Sequence, residues 1–410
     1  MRPTIKLAAA VGAVALVAAA CGTAATDSDS SGGSSGGTSS SGLNDLAVET
    51  SVTVPKDAAD PAGDGKATCD SSTTLAYIGA ETGPNAQLGI NIYNGVQQAI
   101  TEHNKNNPNC QVQFKKYDTE GDPNKATGPV TQATNDSDII GVVGLPFSGE
   151  SQATGNIFEQ AGLVHITPSA TNPELTQNGW KTFFRALGND NVQGPAVADL
   201  ADKLGAKSVY VIQDDSDYGI GLSKTAQKAL GDKVAGTDKV TTGQKDFSAV
   251  VSKVMNADPD AVFYSGYYAE GAPLDQQLVN KGYTGAFIGP DGVKDDQFIK
   301  LAGSASSNAY FTCPCLPGDL IPSFAKTYKS MFNAEPGTYS VEAYDAATVL
   351  LKGIDAGDTT RAKLLSYVTD YNGQGLSKKL KWDSTGELAE TPVFGYKVQD
   401  GKIVSVGSIG

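Results

Sequence analysis

The chain is predicted to fold as an α/β protein of two doubly wound, three-layer lobes with a ligand cleft between them. Three observations predict this. Apolar strand-like runs alternate with amphipathic helical segments from about Thr73 onward, the pattern of a mostly parallel sheet covered on both faces by helices. Gly or Pro punctuates the strand-to-helix joints. At 410 residues the chain exceeds what one ordinary core supports, so two domains of roughly 120 to 200 residues are expected.

Taken in order, the body begins with the apolar run Leu75 to Ile78, a helical pattern from about Ile90 to Asn106 and a second strand, Val112 to Tyr117. A helix near Lys125 to Asn135 leads into the most informative stretch, Ile139 to Thr176. It reads as one βαβ unit with two polar loops. Ile139 to Val143 is a buried strand ending in Gly144, and the loop through Pro146, Ser148, Gly149 and Ser151 opens a helix that runs to about Gln160. Leu163 to Ile166 is the next strand, and Thr167 to Thr171 leaves it as a loop of small residues. Both loops leave the carboxyl ends of parallel strands, the edge where backbone N–H groups, hydroxyls and helix N-termini converge on ligands. Ser148, Ser169 and Thr171 are therefore candidate ligand contacts.

Near Arg185 to Asn191 the chain passes into a second layer. Helices are predicted at Val197 to Leu204, Leu222 to Leu230, Ser248 to Asn256 and around Leu274 to Lys281. Strands are predicted at Ser208 to Gln213, Lys239 to Thr241, Ala261 to Gly266 and Ala286 to Gly289. No Ser/Gly linker separates the layers, so the two lobes should face each other directly.

The N-terminus has a different character. Arg2 and Lys6 precede the apolar run Leu7 to Ala20, which is too short to span a bilayer and ends in small residues before Cys21, as signal-peptidase recognition requires. Residues 1–20 are read as a signal peptide, and the segment resembles a bacterial lipoprotein signal in which Cys21 becomes the lipidated first residue. Ala18 stands where Leu is most usual, and plain secretion with Cys21 left in a tail is the alternative. Residues 22–42 are Ser, Gly, Thr, Ala and Asp alone. Residues 21–66 are read as a Ser/Gly-rich flexible tether, whose reach over some 45 residues is on the order of 35 to 40 Å.

The formal net charge is -14, or -16 once Arg2 and Lys6 are removed, and it argues against nucleic-acid binding, which needs a basic footprint. Cys69 and Cys110 precede the first and second strands, so adjacent parallel strands would place both at one sheet edge. A disulfide there suits an extracytoplasmic protein, although four cysteines allow three pairings. For Cys313 and Cys315 a local disulfide is preferred to a metal site, since two thiols without nearby His are too few zinc ligands; two free thiols are the alternative. No metal or cofactor is expected.

Enzyme readings lack motifs. There is no Walker loop, no HExxH, no GxGxxG opening a helix and no GxSxG around Ser148. His103 and His165 are the only histidines; His103 reads as a solvated residue at a polar helix end and His165 as a core residue.

Five segments in register carry a resemblance: AYIGAETGPNAQLG from Ala76, ITPSATNPELT from Ile166, DDSDYGIGL from Asp214, FYSGYYAE from Phe263 and GPDGV from Gly289. From about Thr73 to its end the chain resembles the type I periplasmic-binding-protein family, in its branched-chain amino acid branch. The resemblance implies three crossovers, near Asn189, Cys315 and Val393. The first lobe is then 67–189 plus 316–392 and the second 190–315 plus 393–410. It also implies that Ser148 and Thr171 bind a ligand carboxylate, that the Ser169 carbonyl and Asp291 receive an α-ammonium, that Tyr218 and Tyr267 close over the ligand, and that Leu88 and Phe147 border its side chain. Asp291 stands where branched-chain members often carry Glu, and Leu88 where an aromatic is common.

The implied function is a monomeric, lipid-anchored, extracytoplasmic protein that captures an amino acid, branched-chain or similar, for the permease of an ABC importer, with no chemistry of its own. The alternatives are a sensory subunit of the same fold and a binder of short amides, urea or aromatic acids. Independently of the family, a zwitterion needs donors at one end and acceptors at the other, and hydroxyls with one carboxylate supply both.

Overall fold

A computed structural model of the chain describes residues 44–389 and 391–409, and its strands form two large sheets. The first half contains β1 (Thr74–Gly79), α1 (Ala86–Asn106), β2 (Gln113–Asp118), α2 (Pro123–Asn135), β3 (Ile139–Val143), α3 (Ser148–Ala161), β4 (Val164–Thr167) and β5 (Phe183–Arg185). The second half contains α4 (Asp190–Leu204), β6 (Val209–Gln213), α5 (Asp217–Leu230), β7 (Val234–Lys239), α6 (Ser248–Ala257), β8 (Ala261–Ser265), α7 (Tyr268–Asn280), β9 (Ala286–Gly289), α8 (Asp296–Ala302) and β10 (Ala309–Cys313). The chain continues with α9 (Pro322–Phe332), α10 (Ser340–Asp355), α11 (Arg361–Asp370), the hairpin β11 (Asn372–Gln374) and β12 (Lys379–Lys381), then β13 (Phe394–Gln399) and β14 (Lys402–Ser408).

The first sheet has the order β2-β1-β3-β4-β5 and is parallel throughout. The second has the order β14-β13-β10-β9-β8-β6-β7. Its five strands from the middle of the chain repeat the same winding in parallel, and β13 and β14 extend it antiparallel from β10. In each sheet the order reverses beside the first strand of its set, between β1 and β3 and again between β6 and β8. That reversal opens a crevice at the carboxyl ends of the strands, where ligands bind in open α/β sheets.

Helices α9 to α11 return to the first sheet. α10 is buried along most of its length and packs on α1, with Glu342 and Asp345 buried among its apolar residues. Arg361 at the start of α11 donates to the carbonyls of Thr134 (3.0 Å), Asp136 (2.7 Å) and Ile139 (2.9 Å), filling the acceptors that the end of α2 leaves open. The passages between sheets are pinned by buried polar groups. Glu342 accepts from the Leu316 N–H (2.9 Å) and the Lys378 ammonium (3.0 Å), and the Tyr396 hydroxyl donates to the Cys315 carbonyl (2.6 Å). Cys69 is joined to Cys110, and Cys313 to Cys315.

Three expectations need correction. The strand expected at Lys239 to Thr241 lies earlier, at Val234–Lys239; it is an edge strand with alternating half-buried and exposed residues and Gly236 in its middle, which weakens its apolar signal. His103 is not solvated: it is fully buried and its Nε2 lies 2.9 Å from Asp355. The expected flexible tether does not extend to Lys66. Residues 44–66 lie against the body, where the Asn44 N–H bonds the Leu204 carbonyl (2.9 Å) and that of Glu49 the Ser405 carbonyl (2.8 Å). Lys397 reaches Asp45 (2.8 Å), and Ala59 bonds the Gln374 carbonyl (2.7 Å). The cause is apolar: Leu46, Val52 and Val54 pack on the core. The rest of the expected tether, with Cys21 and the signal peptide, lies outside the described residues.

Candidate functional site

Two loops of the first lobe, after β3 and β4, are stitched together by their own small side chains. Gly144 opens the first of them at φ 137°, and a Cβ there would meet the Ile78 carbonyl oxygen at 2.2 Å, so only glycine fits. The Thr167 hydroxyl donates to the Leu145 carbonyl (2.7 Å) and that of Ser169 to the Pro146 carbonyl (2.8 Å). Ser148 is not the N-cap of α3; Phe147 holds that position, and the Ser148 hydroxyl accepts from the Asn172 N–H (3.2 Å). The Thr171 hydroxyl is buried and, among the described residues, has no partner at hydrogen-bond geometry, although it lies close enough to Asp190 to act on that carboxyl.

Beneath the second loop sits Arg185 at the end of β5, fully buried. It donates to the carbonyls of Ala170 and Asn172 (3.1 Å) and grips Glu387 with two bonds, Nη2 to Oε1 at 2.8 Å and Nε to Oε2 at 3.1 Å. Burial pushes the Glu387 carboxyl up, but the charge and hydrogen bonds of Arg185 outweigh it and hold the group below its ordinary value.

The second lobe contributes Tyr218, Tyr267 and Asp291. Tyr218 lies in the first turn of α5, which Ser216 caps by accepting from the Gly219 N–H (2.9 Å). Asp291 follows β9 and is fully buried. Its Oδ1 accepts from the Gln193 amide (2.8 Å) and from the Tyr218 hydroxyl, and its Oδ2 from the Tyr339 hydroxyl (2.8 Å). Burial raises its carboxyl, and those three donors oppose the shift. Tyr267 caps α7, with its ring 5.1 Å from those of both Phe147 and Tyr218.

Phe147 of the first lobe thus meets Tyr267 of the second, which packs on Tyr218, itself bonded to Asp291, while Ser148, Ser169 and Thr171 lie on the two loops beside Phe147. All are buried except Tyr267, which is half-buried, and Leu88 is buried in the same apolar cluster as Phe147. The lobes are closed on one another. The Asn172 amide donates to the Asp217 carbonyl (2.9 Å), the Gln87 N–H to the Tyr268 hydroxyl (3.2 Å) and the Asn91 amide to Asp295 (3.0 Å). A cavity of about 570 Å³ lies beside this site, lined by Asn91, Lys294, Asp295, Thr338 and Tyr396 among others, and includes none of the expected ligand residues.

Four participants escaped the sequence. Asp190, at the start of α4, is fully buried with both oxygens unpartnered; burial and the charge of Asp291 push it up to about 8, and the Thr171 hydroxyl partly offsets this. Gln193, one turn on, bridges Asp291 to the carbonyl of Thr312 (3.2 Å). Tyr339 adopts a left-handed backbone (φ 69°), a cost that its bond to Asp291 and its burial offset. Arg185 carried one signal, a cation inside an apolar run, FFRAL. His165 is a core residue between the rings of Phe158 (3.9 Å) and Phe183 (5.3 Å), and burial lowers it to about 3.

The family model of periplasmic binding proteins matches residues 72–402. The leucine-, isoleucine-, valine-, threonine- and alanine-binding protein of Pseudomonas aeruginosa is 32% identical over 323 residues, covering 77% of this chain and 86% of its own. The Leu/Ile/Val-binding protein of Escherichia coli K12 is 30% identical, covering 77% and 87%. Among solved structures, a leucine-binding protein of Thermotoga maritima superposes with a TM-score of 0.75 at 29% identity, covering 82% of this chain and 99% of that one.

Proposed function

Since the chain belongs to the periplasmic binding protein family, and is a solute-binding protein and not an enzyme, we propose that it captures an amino acid, branched-chain or similar, between its lobes and delivers it to an ABC importer. In this reading it works outside the cytoplasm, held to the membrane through lipidated Cys21, as a monomer. The observation that supports the reading is a buried carboxylate, Asp291, bonded to Tyr218, whose ring packs on Tyr267 and through it on Phe147 of the other lobe, beside the loop that carries the buried Thr171 hydroxyl.

The two ends of an α-amino acid have matching partners in this arrangement. Its carboxylate meets the Ser148 and Thr171 hydroxyls and backbone N–H groups at the start of α3, where the helix dipole favours an anion. Its ammonium meets Asp291 and the Ser169 carbonyl. Asp291 already accepts three bonds, two on Oδ1 and one on Oδ2, so the ammonium takes the remaining lone-pair position on Oδ2. Phe147 and Leu88 border the side chain, and Tyr267 covers it.

Closure around the ligand is the signal an importer reads, because a ligand shifts the open-to-closed balance only by its differential affinity for the two forms. The test is a thermal-shift screen of ligand-stripped protein against amino acids, amides, urea and small aromatic acids. A ligand at a hundred times its Kd adds about 2.7 kcal/mol of stability. A shift with an α-amino acid and none with its amide or deaminated acid supports the reading; a shift only with molecules lacking an α-ammonium overturns the role of Asp291. Co-purification with a permease, as against a membrane kinase, separates import from sensing.

A further inference from the structure

Glu150 is the residue that the amino-acid reading leaves unexplained. It stands in the first turn of α3, two residues after Ser148, with its side chain fully buried and neither carboxylate oxygen hydrogen-bonded. Leaving a buried acid unsatisfied costs several kcal/mol, so native proteins rarely tolerate it away from a site of use.

Its helix begins at the candidate site: Phe147, in the N-cap position, packs on Tyr267 of the other lobe, and the Ser148 hydroxyl accepts from the Asn172 N–H of the second loop. Among charges, that of Glu150 acts most strongly on the Tyr77 phenol, whose hydroxyl donates to the Ala80 carbonyl (3.2 Å) at the carboxyl end of β1. It also acts on Tyr267, which comes from the other lobe and meets Phe147, the cap of Glu150's own helix. The carboxyl therefore stands within one helical turn of Phe147, the residue expected to border the ligand's side chain. No cation is among the groups that act most strongly on it; the charges that do are those of Asp118 and Asp122, and with burial they push the carboxyl up to about 8. The Thr119 hydroxyl and the Phe147 N–H partly oppose the shift, without hydrogen-bond geometry to either oxygen.

We propose that Glu150 is a specificity-determining residue and that the ligand is an amino acid whose side chain ends in a hydrogen-bonding group, a hydroxyl, carboxamide or amine. A purely aliphatic side chain would seal the carboxyl away from water with nothing to pair it. A polar side chain completes its hydrogen bonds as the lobes close. This rests on the amino-acid reading above and departs from the Leu/Ile/Val preference in the name of the Escherichia coli relative, whereas the name of the Pseudomonas aeruginosa relative includes threonine among four aliphatic amino acids. A cap role alone, the acid in the third helical position reaching back to the N–H of Phe147, is the competing explanation.

The experiment is calorimetric titration of ligand-stripped full chain with two isosteric pairs, L-threonine against L-valine and L-asparagine against L-leucine. The wild type should bind the polar member of at least one pair ten times or more tighter. Glu150→Gln should keep that preference, while Glu150→Leu, and Glu150→Ala, which needs no space, should bring the ratio below three. Wild-type preference for valine and leucine would overturn the proposal while leaving the amino-acid reading intact. So would a ratio unchanged in Glu150→Ala alongside a lowered melting temperature, the mark of a cap. Failure of all four amino acids to bind would overturn both.

Discussion

Replacing Arg185 by methionine tests the support of the ligand loops. The guanidinium is buried, and its removal leaves Glu387, whose side chain is 17% exposed, without its partner. Losing one half of a buried pair typically costs about 3–5 kcal/mol. The carbonyls of Ala170 and Asn172 lose donors as well, and each unsatisfied group adds about 1 kcal/mol or more. Arg185→Met should therefore destabilise by about 5–7 kcal/mol, measured by urea unfolding. Both tryptophans report on this region: Trp382 donates to the Arg185 carbonyl (2.7 Å) and Trp180 packs near Phe183. Arg185→Met with Glu387→Leu should recover most of the loss, since two apolar side chains can replace an ion pair at little cost. The pH profile adds a sign. Glu387 is held low in the folded wild type, so its contribution is present above about pH 4.3 and is lost as the pH falls through the folded value. In Arg185→Met the same carboxyl is buried without a cation, so its contribution should reverse and fall as the pH rises. A change below about 1 kcal/mol in the single variant would refute the reasoning.

Three further outcomes are expected. Thr171→Ala and Asp291→Ala should each weaken an α-amino acid ligand by about 2–5 kcal/mol, read by calorimetry; wild-type affinity in both would remove the proposed site. Asp190 is pushed up to about 8, so the folded state holds its proton where the unfolded chain has lost it. Stability should fall between about pH 4 and the folded value by up to about 1.4 kcal/mol per pH unit, and Asp190→Asn should flatten that slope in pH-dependent melts. Replacing Cys69 and Cys110 by serine frees a loop with a sequence separation of 41 and should cost about 4 kcal/mol, whereas the pair Cys313 and Cys315, two residues apart, should cost less than half of that in denaturant unfolding.

The two-layer alternation was legible because buried parallel strands such as Ile139–Val143 and Ala261–Ser265 are continuous apolar runs between Gly, Pro and polar loops. The loops after β3 and β4 were legible because small hydroxyl residues at a strand's carboxyl end have few other uses. What could not be read was pairing over distance. Tyr339 lies 48 residues from Asp291, and Arg185 lies 202 from Glu387, so no local pattern links either pair. Asp190 looked like an ordinary first-turn acid; the burial that sets it apart comes from residues distant in sequence, Thr171, Arg185 and Asp291 among them. The docked segment had a signal that the Ser/Gly composition before it obscured. Leu46 and Val48, then Val52 and Val54, are spaced by two, the period of an extended chain with one face on a surface.

That docked segment ties the lobes mechanically. Its beginning is held by second-lobe atoms at Leu204, Lys397 and Ser405, and its end by first-lobe atoms at Gln374 and Asn107. Between Glu49 and Ala58 the chain can span no more than roughly 30 Å when fully extended. It would therefore act as a check-rein: a rotation of one lobe against the other could proceed only until that slack is gone, after which one end would have to peel away. A pull at Asn44 would be borne first by the second lobe, through the Leu204 carbonyl, and would reach the first lobe only through the segment's far end.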